Sequence, residues 1–294
     1  MENRDWLILQ ELYAKKNITK TAQTLFISQP ALTARLRQIE KEFAVQIVHR
    51  TSKGVKFTPQ GEYLAKTASK MLVDLRTVKE TVTNMGSTVS GTLRIGASSY
   101  FTTFILPSLL RHFKDRYPAV EFKVTTGWSR EVYQQVYNQD VHVGFARADY
   151  EWQNEKHLLF EENVCVASLT KIALEDLPNL PRIDFKTDYV VNAATDTWWR
   201  NNFSQPPLIS MEVDRLVTCK EMVINGLGYA IMPDMILRST PDIHKILLHM
   251  PDGQPLIRKT WMIHQKDVRE MNVVKAFIEF VENMDFKNTI MNSI

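Results

Sequence analysis

From Leu64 to Met85 the apolar residues fall at alternating steps of four and three: Leu64, Ala68, Met71, Leu75, Val78, Val82 and Met85. A 3.5-residue period keeps one stripe of a helix turned toward a partner along its whole length. A helix lying on its own domain drifts toward a period of 3.6 and is usually shorter. The seam therefore predicts a long helix that pairs with a second copy of itself. It divides the chain into a head over residues 1–58, a linker helix and hinge over 59–90, and a body over 91–294. Gly86-Ser87 to Ser90-Gly91 ends the helix as the hinge.

The head reads as three helices. Leu9, Leu12 and Tyr13 follow Trp6 at helical spacing until about Lys16-Asn17. Thr19 is placed to cap a short second helix through Ala22 to Leu25, and the chain turns at Phe26-Ile27-Ser28. A third helix opens with Ser28-Gln29-Pro30, where Ser or Gln can cap and Pro is tolerated in the first turn. Its inner stripe is Leu32, Leu36, Ile39 and Phe43. Two helices on a tight turn behind a leading helix describe a helix-turn-helix. The outer face of the third helix carries Gln29, Thr33, Arg35, Arg37 and Gln38. Such donors reach base edges or phosphates in a major groove, or else form an ordinary solvated face. Next comes the basic turn Arg50-Thr51-Ser52-Lys53-Gly54-Val55-Lys56, flanked by apolar runs. It reads as a β-hairpin wing that carries Arg50, Lys53 and Lys56 toward a phosphate backbone. Thr58-Pro59 then caps the long helix. Residues 1–90 hold 14 Lys and Arg against 8 Asp and Glu, and the remainder 22 against 25. A basic head on a slightly acidic body suits a polyanionic partner.

The body changes period. Strands at 92–97, 120–126 and 141–146 alternate with helices at 106–113 and 130–137, an order that calls for a parallel sheet covered by helices. A second round reads strands at 164–169 and 189–192, a helix at 215–224 and a strand at 229–232. A last strand at 260–264 precedes a helix at 272–284. Two α/β lobes result, one over about 91–163 and 268–294, the other over about 164–267. In such sheets ligands sit beyond the carboxyl ends of strands, where helices begin. That rule nominates Ser98, Ser99, Gly127, Trp128, Ser129, Arg147, Thr195 and Trp198. The serines read equally as helix caps, and Arg147 as either a ligand contact or half of an internal salt bridge. Hydroxyls with an arginine suit a carboxylate.

Other classes are excluded. The start of the chain, Met1-Glu2-Asn3-Arg4-Asp5, lacks an apolar signal core, and nowhere do eighteen apolar residues run together, so neither secretion nor a membrane span is expected. Two cysteines, Cys165 and Cys219, fit a reducing cytoplasm, and Cys165 in an apolar run reads as a buried structural thiol. There is no phosphate-cradling glycine loop, no nucleophile elbow, and the seven histidines have no ligand spacing. No enzyme, cofactor or metal site is expected.

Five blocks then settle on a pattern: Thr21-Ala22-Gln23-Thr24-Leu25, Ser28-Gln29-Pro30-Ala31-Leu32, Ile39-Glu40, Arg50, and Thr58-Pro59-Gln60-Gly61-Glu62. Their order and spacing resemble the signature of the LysR-type transcriptional regulators. Many members carry a basic residue where this chain has Ala34, and here Arg35 follows it. The resemblance implies a winged helix-turn-helix that binds double-stranded DNA through Ser28, Gln29, Pro30, Thr33, Arg35, Arg50, Lys53 and Lys56. It implies a linker helix that makes homodimers, a further association into tetramers, and a two-lobed α/β effector domain like that of periplasmic solute-binding proteins. Within the family, Thr126-Gly127-Trp128-Ser129, Val141-His142-Val143-Gly144 with Arg147, Glu151-Trp152, Thr218-Cys219-Lys220 and Gly228-Tyr229-Ala230-Ile231 resemble the citrate-responsive catabolite control regulators of Gram-positive bacteria. That likeness implies that Ser98, Ser129, Arg147 and Arg258 grip citrate or a related di- or tricarboxylate, on genes of central carbon metabolism. From the residues alone Arg258 also reads as a solvated edge charge, and another small anionic or aromatic effector remains the alternative.

Overall fold

The computed structural model describes residues 1–52, 54–83, 88–147, 150–187 and 189–286. They form two compact units, Met1–Thr83 and Asn84–Ile294.

In the first unit, helices α1 (Asn3–Lys15), α2 (Ile18–Thr24) and α3 (Gln29–Phe43) precede a hairpin of β1 (Val48–Thr51) and β2 (Gly54–Phe57), and α4 (Pro59–Thr83) follows. The cap of α2 is Asn17, not Thr19: its Oδ1 accepts from the Lys20 amide at 3.0 Å. Ser28 caps α3 through the Ala31 amide at 3.3 Å. The core joins Ile8, Leu9 and Leu12 of α1 to Leu32, Leu36 and Ile39 of α3. Phe43, expected in that stripe, is exposed at the end of the helix. Gly54 lies at φ 132°, where a Cβ would stand 2.3 Å from the Lys16 carbonyl oxygen. That oxygen accepts the Val55 amide at 2.9 Å, which ties the wing to the end of α1.

The apolar seam has two fates. Leu64 and Ala68 are buried in the head's own core. Met71, Leu75, Val78 and Val82 are 38–62% exposed. The expectation of one uninterrupted pairing stripe is corrected to this extent: its first two positions pack within the chain. Met85 and the Gly86-Ser87 part of the hinge lie outside the described residues.

The second unit runs β3 (Gly91–Ser98), α5 (Ser99–Phe104), α6 (Leu106–Arg116), β4 (Val120–Gly127), α7 (Ser129–Tyr137), β5 (Val143–Ala146), β6 (Glu155–Ser168), β7 (Arg182–Phe185), α8 (Tyr189–Asn202), β8 (Ile209–Val213), α9 (Leu216–Ile224), β9 (Ala230–Pro233), β10 (His244–Leu247), β11 (Ile257–His264) and α10 (Asn272–Glu282). Residues 189–192, expected as a strand, begin a helix instead. Three apolar residues before Asn192 do not distinguish the two periods. What decides it is the Trp198 and Trp199 pair farther along, both buried in the second-lobe core.

The sheet is mixed rather than parallel. β3 runs parallel to β4 and β5, while β11 lies antiparallel to both β5 and β6. The 14-residue β6 passes from one lobe to the other. Its residues 155–163 pair with β11, and residues 164–168 pair with β9 and β10. The expected second lobe included β11, which instead joins the first-lobe sheet beside β5. The β6–β11 ladder is thus the joint, and the ends of β3, β4 and β5 open onto the space beside it. Burying Phe101 against Phe145 at 4.3 Å, and Phe113 edge-on to Phe277 at 5.0 Å, fixes α5, α6 and α10 on this sheet.

Candidate functional site

The head presents a polar edge made by α3 and the wing. Gln29, Pro30, Arg37, Arg50 and Lys56 are exposed and Thr33 is half-buried. Gln29, Thr33 and Arg37 recur every fourth residue and so share one side of α3. Arg50 Nη2 donates to Thr33 Oγ1 at 3.2 Å, which draws the wing against that side. Lys53 lies outside the described residues. Arg35 departs from the expectation that it is a free groove-facing donor. Its Nε and Nη2 go to the two oxygens of Asp5 at 2.5 and 2.7 Å, and Nη1 goes to Gln38 Oε1 at 3.0 Å. Asp5 is fully buried on α1. Burial alone would push its carboxyl up. The Arg35 hydrogen bonds, the Glu2 amide and the guanidinium charge outweigh that and hold it below the ordinary carboxylate range. Arg35 is a clamp between α1 and α3.

The second unit holds a cleft of about 290 Å³. Ser98, Ser99, Gly127, Trp128, Ser129, Arg147 and Arg258 all line it, so seven of the nine residues named for the effector meet in one cavity. β3 delivers Ser98 at its carboxyl end, β4 leads to Trp128 and Ser129 at the start of α7, and β5 leads to Arg147. Ser129 is buried and its Oγ accepts the Arg147 amide at 3.2 Å. The Arg147 guanidinium lies 4.6 Å from the centre of the Tyr100 ring. Tyr100 was not anticipated from sequence. Its hydroxyl and Ser98 Oγ are buried and lack a hydrogen-bond partner among the described residues. Burial, then the Glu162 carboxylate, push the Tyr100 phenol well above its usual range, so it is a neutral donor. Phe185, Lys186, Arg215 and the first turn of α9 complete the opposite wall. The rule that nominated Ser98 finds Arg215 too, because that residue directly precedes a helix.

Arg258 is no solvated edge charge. Its Nη2 and Nε approach Glu162 Oε1 at 2.8 and 3.3 Å, directly across the β6–β11 ladder. Glu162 is buried and the arginine side chain is 10% exposed. Thr195 lies outside the main cleft, in a neighbouring pocket of about 50 Å³ with Arg182, Asp184 and Asp196. Trp198 is a core residue whose Nε1 donates to the His249 carbonyl oxygen at 2.9 Å.

Both cysteines are buried and unpaired, and burial pushes each thiol up to about 12. Neither has the exposed thiolate that redox chemistry needs. Among the described residues, no group of three or more His, Cys, Asp and Glu could hold a metal, and no helix is long and apolar enough to cross a membrane.

A family model described as the LysR substrate binding domain matches residues 86–285. A second, described as bacterial regulatory helix-turn-helix protein, lysR family, matches residues 4–62. The chain is 39% identical to the uncharacterized HTH-type transcriptional regulator YraN of Bacillus subtilis, over 96% of this chain and 98% of that protein. It is 30% identical to the uncharacterized HTH-type transcriptional regulator YkuM of the same organism, over 97% and 98%. Among solved structures, full-length CbnR in complex with its target DNA superposes with a TM-score of 0.65 at 19% identity, covering 96% of this chain and 99% of that one. The Vibrio cholerae virulence activator AphB gives a TM-score of 0.58 at 16% identity, over 97% and 100%. At these identities the two structures speak for the fold. The family models and the Bacillus relatives speak for kinship, and they are regulators rather than enzymes: the chain belongs to the LysR family of DNA-binding transcriptional regulators.

Proposed function

We propose that this regulator grips duplex DNA as a homodimer paired along α4, and that a small carboxylate in the cleft adjusts the grip. Ser28, Gln29, Pro30 and Thr33 at the start of α3 would read the groove, and Arg50, Lys53 and Lys56 on the wing would hold phosphates. Phosphate neutralisation supplies most of the affinity and base contacts the preference. CbnR, a LysR regulator of similar fold, has been seen bound to its target DNA. The exposed Met71, Leu75, Val78 and Val82 on α4 support a dimer seam. Exposed Val124 on the edge strand β4, and exposed Leu208 and Ile209 at the edge strand β8, support further pairing of effector domains into a tetramer. A cytoplasmic location follows from a DNA partner and suits two unpaired thiols.

The carboxylate reading rests on one observation: two buried hydroxyls without partners among the described residues, Ser98 Oγ and Tyr100 Oη, line the same cleft as Arg147. Donors already desolvated and aimed into a cavity favour an acceptor-rich anion. Citrate or a related di- or tricarboxylate is the first choice, and genes of central carbon metabolism the expected target. A second reading is an aromatic acid, favoured by Trp128, Tyr100 and Phe185 on the cleft walls. A thermal-shift panel of citrate, succinate, malate and benzoate tests both, since ligand at about a hundred times its Kd adds about 2.7 kcal/mol. Stabilisation by benzoate alone selects the aromatic reading. No shift with any acid rejects both.

A further inference from the structure

The cations at the cleft are not equivalent. Arg258 stands on the β6–β11 ladder, already engaged by the Glu162 carboxylate, which has no solvent access. Turning its guanidinium toward a ligand would strand Glu162, a loss that an exposed effector contact does not offset. Arg215 differs in each respect. It directly precedes α9, and its side chain is 59% exposed. Its pairing with the exposed Asp214 at 3.7 Å is long and weak. Its Nη1 donates instead to Ser99 Oγ at 3.2 Å, across the cleft at the start of α5. Leu216, Val217 and Thr218, the first turn of α9, line the same cavity. No side chain caps that turn and no acidic residue stands in it. Its amides therefore offer a partial positive charge toward the cleft. Facing this end are Ser98 and Tyr100, 4% and 3% exposed, whose hydroxyls await an acceptor.

We infer that Arg215 and the uncapped start of α9, not Arg258, form the second-lobe half of the anion site, and that Arg215 latches the cleft. Its guanidinium bonds Ser99 across the cleft. In the loaded cleft an effector carboxylate enters between them, taking the guanidinium and the α9 amides on one side and the Ser98 and Tyr100 hydroxyls on the other. A ligand bridging both walls favours the closed form over the open one, the difference that any ligand-driven switch requires. The anion half of this inference rests on the carboxylate reading proposed above. The latch does not.

The test uses full-length protein as wild type, Arg215→Gln and Arg215→Lys. Without ligand, amide hydrogen exchange over residues 98–104 and 215–219 is expected to quicken by about 2- to 10-fold in Arg215→Gln, the range for one lost hydrogen bond. Arg215→Lys, which keeps a donor and a charge, should lie between. Unchanged exchange in Arg215→Gln overturns the latch whatever ligands do. With the acid that stabilises wild type, chosen from citrate, succinate, malate and benzoate, Arg215→Gln is expected to bind about tenfold more weakly, with partial rescue in Arg215→Lys. Equal affinity overturns the anion site. If none of the four acids shifts the wild type, the carboxylate reading and the anion half fall together, and exchange alone decides the latch.

Discussion

Asp5 and Arg35 form a two-pronged ion pair, 2.5 and 2.7 Å, that joins the first helix of the head to its third. A carboxylate with no solvent access thus depends on one guanidinium for its charge balance. Replacing Arg35 by Ala is expected to destabilise the head by about 1.5–3 kcal/mol, the range for hydrogen bonds to charged groups. Chemical denaturation followed by circular dichroism measures it. Unchanged stability with a sharply altered base preference would return Arg35 to the groove.

The same pair sets a pH dependence. The folded Asp5 carboxyl lies below its ordinary value, so the stability it contributes is fully present above about pH 4 and is lost as pH falls through the lower folded value. Wild-type protein should lose this increment on acidification and Asp5→Asn should not. Parallel pH profiles for the two would refute the assignment.

On the wing, Arg50→Ala and Lys56→Ala should each weaken binding to every duplex and flatten the salt dependence by about one unit. Gln29→Ala should instead reduce discrimination at single base positions by about 1–3 kcal/mol. Fluorescence anisotropy over a salt series separates the two behaviours, and an unchanged slope would remove the residue concerned from the phosphate contacts.

Along α4, Val78→Asp places a charge on the exposed half of the seam. Monomers are expected by light scattering at micromolar concentration, with the head still folded because its core uses Leu64 and Ala68. A dimer that survives Val78→Asp would argue for a different interface.

At the joint of the lobes, Arg258→Ala leaves Glu162 buried without a counter-charge and should cost about 3–5 kcal/mol. The double change Glu162→Gln with Arg258→Met should recover most of it. A mild effect of Arg258→Ala on stability, joined to loss of effector binding, would make Arg258 a ligand contact after all.

Much of this protein is local and so was legible in its residues. The helical stripes of the head, the basic turn of the wing, the seam of α4 and the βαβαβ order of the first lobe are periodicities within a few turns or one strand. The strand-end rule, applied to that order, gathered Ser98, Ser99, Trp128, Ser129 and Arg147 at one cleft. Residues 189–192 failed because three apolar residues followed by Asn192 do not specify a period, and the tryptophans buried by the helix lie farther along.

The partners of the charged groups were decided only by the tertiary structure. Arg35 finds Asp5 across 30 residues, Arg258 finds Glu162 across 96, and Arg215 finds Ser99 across 116. No window of sequence contains both members of any of these pairs. The packing of α1 on α3, the register of β6 against β11 and the meeting of two lobes bring them within hydrogen-bonding distance. Those contacts determine which arginines hold the protein together and which remain for a ligand.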